Sequence, residues 1–189
     1  MGFLNSMFRL AGTAAKGATA VATAVATAPA KVAGDLASSL VDNAFRDPVD
    51  EPALGSVVKH YLWGFEHTGI YVGNGEIVHW TSNSEVEKCS PKKFKEGGGS
   101  TFAYVVYVSC RGTEPVGSPK AAEYALSKVG QGAKERGEYK KTSNNCHMFV
   151  IECLTGEKCE ESRRLTEPSE YCIKYLNADN WRVWKGTNT

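Results

Sequence analysis

The residues of this chain that could perform chemistry are a cysteine, Cys146, and two histidines, His67 and His79. Cys146 follows two asparagines and precedes an apolar run, which predicts a position in the first turn of a helix. The positive end of the helix dipole favours the thiolate there, and the thiolate is the nucleophilic form of cysteine. The helix alone leaves a buried structural cysteine as the commoner alternative, because free cysteines are among the most buried residues.

The helix that would hold this cysteine has signals at both ends. Asn144 or Asn145 can cap its first turn, because an amide oxygen accepts an otherwise unpaired backbone N–H. Gly156 stands where a chain leaves a helix in the left-handed conformation, which glycine adopts most readily. The apolar residues that recur at helical spacing and predict the buried face are Phe149, Val150, Cys153 and Leu154.

Both histidines belong to a predicted β-hairpin. Residues 68–72 and 77–81 are rich in β-branched and aromatic side chains, and Gly73-Asn74-Gly75 separates them. A histidine on each arm can face its neighbour across the sheet, so His79 could orient the imidazole of His67 beside a cysteine. The alternative is a pair of half-exposed histidines with no catalytic role.

The remaining pattern places strands before helices. Residues 56–63 and 102–108 are predicted strands, 82–100 a loop and 118–130 a helix, and a last helix opens at Pro168. This order predicts an α+β fold in which a small antiparallel sheet packs against helices.

Composition divides the chain into three parts. Residues 1–46 are an N-terminal extension rich in alanine and threonine. Residues 47–165 carry the strands and the candidate site, beginning at a proline-rich acidic boundary. Residues 166–189 are predicted to form a C-terminal helix and an aromatic tail.

The start of the extension is amphipathic, since Phe3, Met7 and Leu10 share one helical face beside the polar Arg9. Such a helix can lie on a membrane surface, pack on its own domain or belong to a flexible arm, and the sequence leaves these alternatives open. A membrane surface is therefore one expected partner of residues 1–46.

Charge and cysteine content exclude several classes of function. Lys+Arg 22 against Asp+Glu 21 gives a net charge of +1, and no aromatic-basic stripe points to nucleic acid. The six cysteines form no CxxC pair, and the N-terminus lacks the leucine-rich core of a signal peptide. No run of about 18 apolar residues predicts a spanning helix. We therefore expect free thiols in a cytoplasmic protein, peripheral at a membrane if the extension binds one.

Three motifs together match a known family. They are Pro52–Val57, the stretch from His67 to His79 with its Gly-x-Gly turn, and Asn144–Phe149 followed by Thr155-Gly156. In these motifs the chain resembles the lecithin:retinol acyltransferase-like (LRAT-like) domain of the permuted NlpC-type papain-like thiol enzymes. The resemblance covers roughly residues 50–156.

The resemblance implies a cysteine-dependent acyltransferase or phospholipase with a permuted papain-like fold, no cofactor, and a lipid or other acyl substrate. Cys146 would be the nucleophile, His67 the base and His79 the third member of a triad, with a thioester acyl-enzyme as intermediate. Backbone N–H groups near Asn145 would stabilise the oxyanion. The chain departs from the family at His147, where glutamate usually follows the cysteine, and this side chain would tune the thiolate or line the cleft.

Other functions remain open. The wider papain-like group includes peptidases and amidases, and an inactive LRAT-like domain would only bind. A zinc site of His67, His79 and Cys146 is a further alternative, since all three are zinc ligands. The complete triad favours catalysis over binding, and the amphipathic start favours lipid over peptide. His60, on the first strand, is expected at the surface or in the cleft wall.

Overall fold

The computed structural model describes residues 46–62, 65–96, 105–141, 144–158 and 168–187, which form an antiparallel sheet with helices. The predicted α+β class is confirmed. The extension of residues 1–46, with its amphipathic start, lies outside the described residues except for Arg46. In the described part of the chain, no helix has the length and apolarity that a membrane crossing requires.

Seven strands of the described residues form one sheet. In chain order they are β1 (Val57–Leu62), β2 (Phe65–Gly73), β3 (Glu76–Trp80), β4 (Val86–Cys89), β5 (Tyr107–Arg111), β6 (Glu114–Pro115) and β7 (Asn180–Val183). The spatial order is β4-β3-β2-β1-β5-β6, and β7 also pairs with β5. Each pairing is antiparallel. Asn74 and Gly75 join β2 to β3 with positive φ values of 55° and 70°, as a two-residue hairpin turn requires.

The same residues contain five helices, and the predicted caps are found on the helix that begins at Cys146. The helices are α1 (Pro91–Phe94), α2 (Pro119–Ser127), α3 (Ala133–Arg136), α4 (Cys146–Thr155) and α5 (Pro168–Leu176). Asn145 is the N-cap of α4, and its side chain accepts the N–H of Met148. Gly156 ends α4 in the left-handed conformation at φ 75°.

Two apolar clusters pack against the sheet. The first contains Val78 and Trp80 of β3 together with Phe149 of α4, and it also includes buried residues of α2 and α5. The second contains Ile77 of β3 and Phe94 of α1. Since successive side chains of a strand point to opposite faces, the odd-numbered residues of β3, Ile77 and His79, lie on the face of the second cluster.

The structure departs from the sequence prediction in three places. The predicted loop 82–100 contains β4 and α1, and the C-terminal tail supplies β7. Of the predicted strand 102–108, residues 102–104 lie outside the described residues, and in the described part the strand begins at Tyr107. The four residues of β4 are too few for a reliable periodic pattern, and their extended conformation depends on pairing with β3.

Gly69 allows β2 and β3 to bring their histidines together. A Cβ at this position would lie 2.7 Å from Cγ2 of Ile77, 3.0 Å from the carbonyl oxygen of Val78 and 3.2 Å from Cβ of His79. Ile77 is fully buried, so it has no free volume into which to move. The absent side chain is therefore a steric requirement of this hairpin.

A buried ion pair attaches α4 to the segment before it. The Arg136 guanidinium donates to both oxygens of Glu152, at 3.1 and 2.5 Å. The hydroxyl of Tyr124, on α2, donates to the same carboxylate at 3.0 Å. The guanidinium also lies 5.2 Å from the ring centre of Trp80 and 5.1 Å from that of Phe149. These contacts fix α4 relative to α2, α3 and β3.

We expect Gly69→Ala to lower the free energy of unfolding by about 1–3 kcal/mol, because overpacking a filled core costs that much. Urea denaturation measures the loss. In the double variant with Ile77→Ala, the clashing methyl group is absent, so the two losses should not add. Strict additivity would show that the clash lies elsewhere.

We expect Glu152→Gln to cost about 3–5 kcal/mol, because it leaves the Arg136 charge buried without its counter-charge. The double variant Arg136→Met with Glu152→Leu removes both charges and should recover much of that stability. Denaturant midpoints of the parent, the single variant and the double variant measure these differences. A single variant as stable as the parent would contradict the prediction.

Candidate active site

The N-terminus of α4 holds the candidate nucleophile in a fixed backbone. Cys146 is the first helical residue, and the Asn145 side chain accepts the N–H of Met148 at 3.1 Å while donating to the Lys141 carbonyl at 2.8 Å. Asn144 donates to two carbonyls of the preceding segment. The sulfur therefore belongs to the residue at the positive end of the helix dipole.

Strands β2 and β3 bring His67 and His79 into direct contact. Nε2 of His67 lies 2.7 Å from Nδ1 of His79, and both side chains are buried. Nε2 of His79 lies 3.4 Å from Oε1 of Glu87 and 3.4 Å from Sγ of Cys89. Burial, and then the charge of His67, keep the pKa of His79 well below its usual range. His79 is therefore neutral, with one donor and one acceptor nitrogen.

The neighbours of His79 assign its tautomer. An ionised carboxylate only accepts hydrogen bonds, so Nε2 of His79, which faces Glu87, carries the proton. Nδ1 is then the acceptor, and its partner Nε2 of His67 is the donor. When the His67 ring is neutral, this leaves its Nδ1 with a lone pair that can accept a proton.

The thiol of Cys146 is acidified despite its burial. Cys146 is 2% exposed, and burial by itself raises a thiol pKa. The charge of His67 and hydrogen bonds with His147 and His67 outweigh that effect and hold the pKa of Cys146 well below its usual value. By contrast, burial raises the pKa of Cys89 and that of Cys110 to about 12. The thiolate is favoured at Cys146 but not at these two.

His147 is a second imidazole beside the thiol. Its Nε2 lies 3.1 Å from the carbonyl oxygen of Glu66, which can only accept, so this nitrogen carries a proton. Burial lowers the pKa of His147, but the hydrogen bond with Cys146 and the charge of its thiolate raise it to about 9. His147 is therefore a cation at neutral pH, anchored to β2 through the Glu66 backbone.

Tyr139 covers the sulfur from the segment between α3 and α4. Its hydroxyl lies 3.8 Å from Sγ of Cys146, and its backbone N–H donates to Oγ of Ser84 at 2.6 Å. Burial and the charge of Cys146 raise the pKa of Tyr139. The phenol thus stays protonated and donates toward the thiolate.

His60 and Phe94 pack behind the histidine pair. The ring centre of Phe94 lies 5.1 Å from those of His67 and His79, and 4.7 Å from that of His60. His60 is fully buried, which contradicts the surface position, one of the two positions expected for it. The reason is that β1 lies between β2 and β5, where both faces of the sheet are covered. Burial lowers the pKa of His60 to about 3, and the ring is neutral.

Every residue predicted for the site lies in one neighbourhood. His67 and His79 are in direct contact, His67 and His147 interact with the thiol, and Asn145 caps the helix that begins at Cys146. The imidazoles of His67 and His147 therefore interact with the thiol of Cys146, and the imidazole of His79 is bonded to that of His67.

The sequence did not indicate three residues that contact the candidate site, namely Tyr139, Glu87 and Cys89. The strand that carries two of them, residues 86–89, reads apolar, charged, charged, apolar and so gives no alternating signal. Tyr139 had no such signal, because it lies outside any helix or strand.

Comparison with known families identifies a match over the same region. A family model described as lecithin retinol acyltransferase matches residues 50–159. This segment contains β1 to β6 and α1 to α4. It therefore includes both histidines of the pair, the cysteine and the helix cap.

Two human proteins are similar to the chain. It is 30% identical to Phospholipase A and acyltransferase 3 from Homo sapiens over 126 residues, which cover 59% of this chain and 75% of that protein. It is 23% identical to Phospholipase A and acyltransferase 4 from Homo sapiens over 135 residues, which cover 60% of this chain and 77% of that protein.

We expect Cys146 to react with iodoacetamide at pH values well below the usual thiol range, because its pKa is lowered. His147→Gln should move the midpoint of that profile upward by about 1–3 pH units, since an adjacent cation typically lowers a pKa by that amount. Alkylation rates of the Cys146 peptide, followed by mass spectrometry, give both profiles. Superimposable profiles would show that His147 does not stabilise the thiolate.

Proposed function

Because the chain belongs to the lecithin retinol acyltransferase family, we propose that it is a cysteine-dependent acyltransferase or acyl hydrolase. The observation that carries the proposal is the acidified thiol of Cys146, which interacts with His67 while His79 is bonded to His67. The name that both relatives share, phospholipase A and acyltransferase, supports a lipid ester as the acyl donor.

In the first step, the Cys146 thiolate attacks the carbonyl carbon of the ester and forms a C–S bond. The tetrahedral intermediate collapses by breaking the bond between the carbonyl carbon and the leaving oxygen. His67, as the imidazolium, gives its Nδ1 proton to that oxygen, so an alcohol departs and a thioester remains on Cys146.

In the second step, an acceptor attacks the thioester. Water gives a free acid, whereas an amine or alcohol gives a transferred acyl group. Nδ1 of His67, now neutral, takes the proton of the acceptor, and the sulfur of Cys146 departs as the thiolate. The imidazolium–thiolate pair of the resting enzyme is thereby restored.

The oxyanion is stabilised by the first turn of α4. The first N–H groups of a helix have no preceding carbonyl to which they can donate, so those near Asn145 and Cys146 can bind the developing negative charge. The helix dipole acts in the same direction.

His79 and His147 act on the reacting groups from two sides. His79 is a positioning residue, because its acceptor Nδ1 fixes the tautomer and the plane of His67. His147 stabilises the thiolate and lines the cleft, in place of the glutamate usual in the family. This set of roles, with the histidines before the cysteine in the chain, corresponds to a permuted papain-like enzyme.

The substrate reaches the sulfur only if the cover over it moves. Cys146 is 2% exposed, and the Tyr139 hydroxyl lies 3.8 Å from its sulfur. We propose that an entering acyl chain displaces this phenol. Residues 1–46, with the apolar face of Phe3, Met7 and Leu10, are proposed to contact the membrane from which a lipid donor comes.

We expect incubation with phosphatidylcholine vesicles to add the mass of a fatty acyl group to the Cys146 peptide. Cys146→Ala should lose the adduct and lower phospholipid turnover by about a thousandfold or more, because no nucleophile remains. Cys153→Ala is the matched control, because its thiol lies in the core on the same helix and burial raises its pKa. Turnover by Cys146→Ala equal to that of the parent would refute the thioester mechanism.

A fluorogenic peptide amide separates the alternatives in the same assay. Turnover of the amide at a higher kcat/KM than the phospholipid, dependent on Cys146, would indicate a peptidase or amidase. Binding of vesicles without any adduct or turnover would indicate a domain that only binds.

A further inference from the structure

Behind the histidine pair lies a group of donor atoms that the proposed reaction does not use. Nε2 of His79, a carboxylate oxygen of Glu87 and Sγ of Cys89 all lie within 4.8 Å of one another. Among the residues that the structure describes, this is the one group of three such donors. It differs from the His67, His79 and Cys146 set that the sequence suggested for zinc.

Two of the three spacings between these atoms match a tetrahedral metal centre. Zinc bonds of about 2.0–2.2 Å to nitrogen or oxygen and about 2.3 Å to sulfur place tetrahedral ligands about 3.3–3.6 Å apart. Nε2 of His79 lies 3.4 Å from Oε1 of Glu87 and 3.4 Å from Sγ of Cys89. Both pairs that include His79 therefore already stand at ligand-to-ligand distances, and the oxygen of Glu87 and the sulfur of Cys89 lie within 4.8 Å of each other.

The pairing of β3 with β4 fixes this arrangement. His79 is the direct partner of Glu87 in the antiparallel register, and Cys89 lies two residues further along β4, opposite Ile77. Residues two apart on a strand point to the same face, so all three donors share one face of the sheet. The site thus rests on rigid strands rather than on a loop.

Glu87 has one oxygen free for a metal, and Lys93 holds the other. Nζ of Lys93 lies 2.9 Å from Oε2 of Glu87, which leaves Oε1 directed to His79. The Glu87 side chain is 25% exposed, whereas that of His79 is 7% exposed, so an ion would enter past Glu87. A neutral imidazole, a carboxylate and a thiolate together balance the charge of a divalent cation.

We propose that His79, Glu87 and Cys89 bind a divalent metal of the zinc class, and that the bound metal inhibits Cys146 by locking His79 in the other tautomer. The binding part stands on the donor geometry alone. The inhibitory part rests on the proposed function, because it acts through His67 on the thiol.

The lock follows from the two nitrogens of His79. A metal on Nε2 displaces the proton there, so a neutral His79 must carry its proton on Nδ1, facing Nε2 of His67. Two N–H groups cannot share that contact of 2.7 Å, so His67 keeps a proton only on Nδ1. His67 then faces Cys146 as a neutral donor with no lone pair directed to the sulfur. The thiolate loses the cationic partner that His67 provides and keeps only His147, and the base for the second step is absent.

The protons balance from the imidazolium–thiolate state. The metal forms bonds to Nε2 of His79, Oε1 of Glu87 and Sγ of Cys89. The proton of Nε2 of His79 and the proton of the Cys89 thiol leave to solvent. The proton on Nε2 of His67 passes to Nδ1 of His79. A water completes the fourth position of the metal.

Titration of the full chain with Co²⁺ tests the binding part without any activity measurement. Tetrahedral cobalt bound to a thiolate shows a sulfur-to-metal charge-transfer band and intense visible bands, and we expect both with one equivalent bound. Cys89→Ser should remove the charge-transfer band. Cys110→Ser is the matched control, a buried cysteine of the same apolar cluster, and should retain it.

Two further variants locate the ion. Cys146→Ser should retain the cobalt spectrum, and its loss there would place the ion on the candidate nucleophile and overturn the site. Glu87→Gln should weaken Co²⁺ binding by about tenfold or more, which tests the site even if Cys89→Ser fails to fold. No charge-transfer band with the parent chain, or a band that survives Cys89→Ser, would refute it.

Alkylation of Cys146 by iodoacetamide tests the inhibitory part. At neutral pH, one equivalent of Zn²⁺ should slow alkylation by about tenfold, because the thiolate loses an adjacent cation. Cys89→Ser should abolish the slowing, whereas Cys110→Ser should show it in full. Cobalt binding with an unchanged alkylation rate would refute the lock. A cobalt site in a protein that never forms an acyl adduct would refute only the proposed function.

Discussion

The buried pair of Arg136 and Glu152 is the contact on which the candidate site depends. It joins α3 to the middle of α4, and the Tyr124 hydroxyl of α2 binds the same carboxylate. Separating the two charges inside the protein costs several kcal/mol, so the helix has little freedom to slide. The first residue of that helix must meet an imidazole on β2, and sub-ångström errors in such a contact weaken proton transfer.

Each half of the site is formed by residues that lie close together in the chain, whereas the two halves lie far apart in it. The hairpin that joins His67 to His79 is local, and its turn and alternating strands were legible in the sequence. The cap at Asn145 and the end at Gly156 were equally local, and both are as predicted. The family motifs indicated that the hairpin and the helix meet, which no local pattern can show.

Other parts of the site follow only from tertiary packing. Glu87 and Cys89 were assigned to a loop, because four residues of strand show no clear period until β3 pairs with them. His60 was expected at the surface or in the cleft wall, since nothing local reveals that β1 is a central strand. Tyr139 lies in a segment without helix or strand, and its place over the sulfur depends on long-range contacts such as that with Ser84.

The histidines of the site differ in charge because their surroundings differ. Burial keeps His60 neutral, and burial together with the charge of His67 keeps His79 neutral. The thiolate holds a proton on His147 up to about pH 9. The first turn of α4 therefore contributes the positive end of the helix dipole and, through His147, a cation beside the thiol.

The cover that Tyr139 forms over Cys146 has a consequence for chemical durability. A thiolate of low pKa is the form of cysteine that peroxides oxidise most readily, through sulfenic acid to irreversible products. At 2% exposure, the sulfur is shielded from small oxidants in the surrounding water. In the proposed reaction, the movement that admits a substrate also exposes the sulfur, so the lifetime of Cys146 as a nucleophile would be limited by the time that the phenol spends displaced.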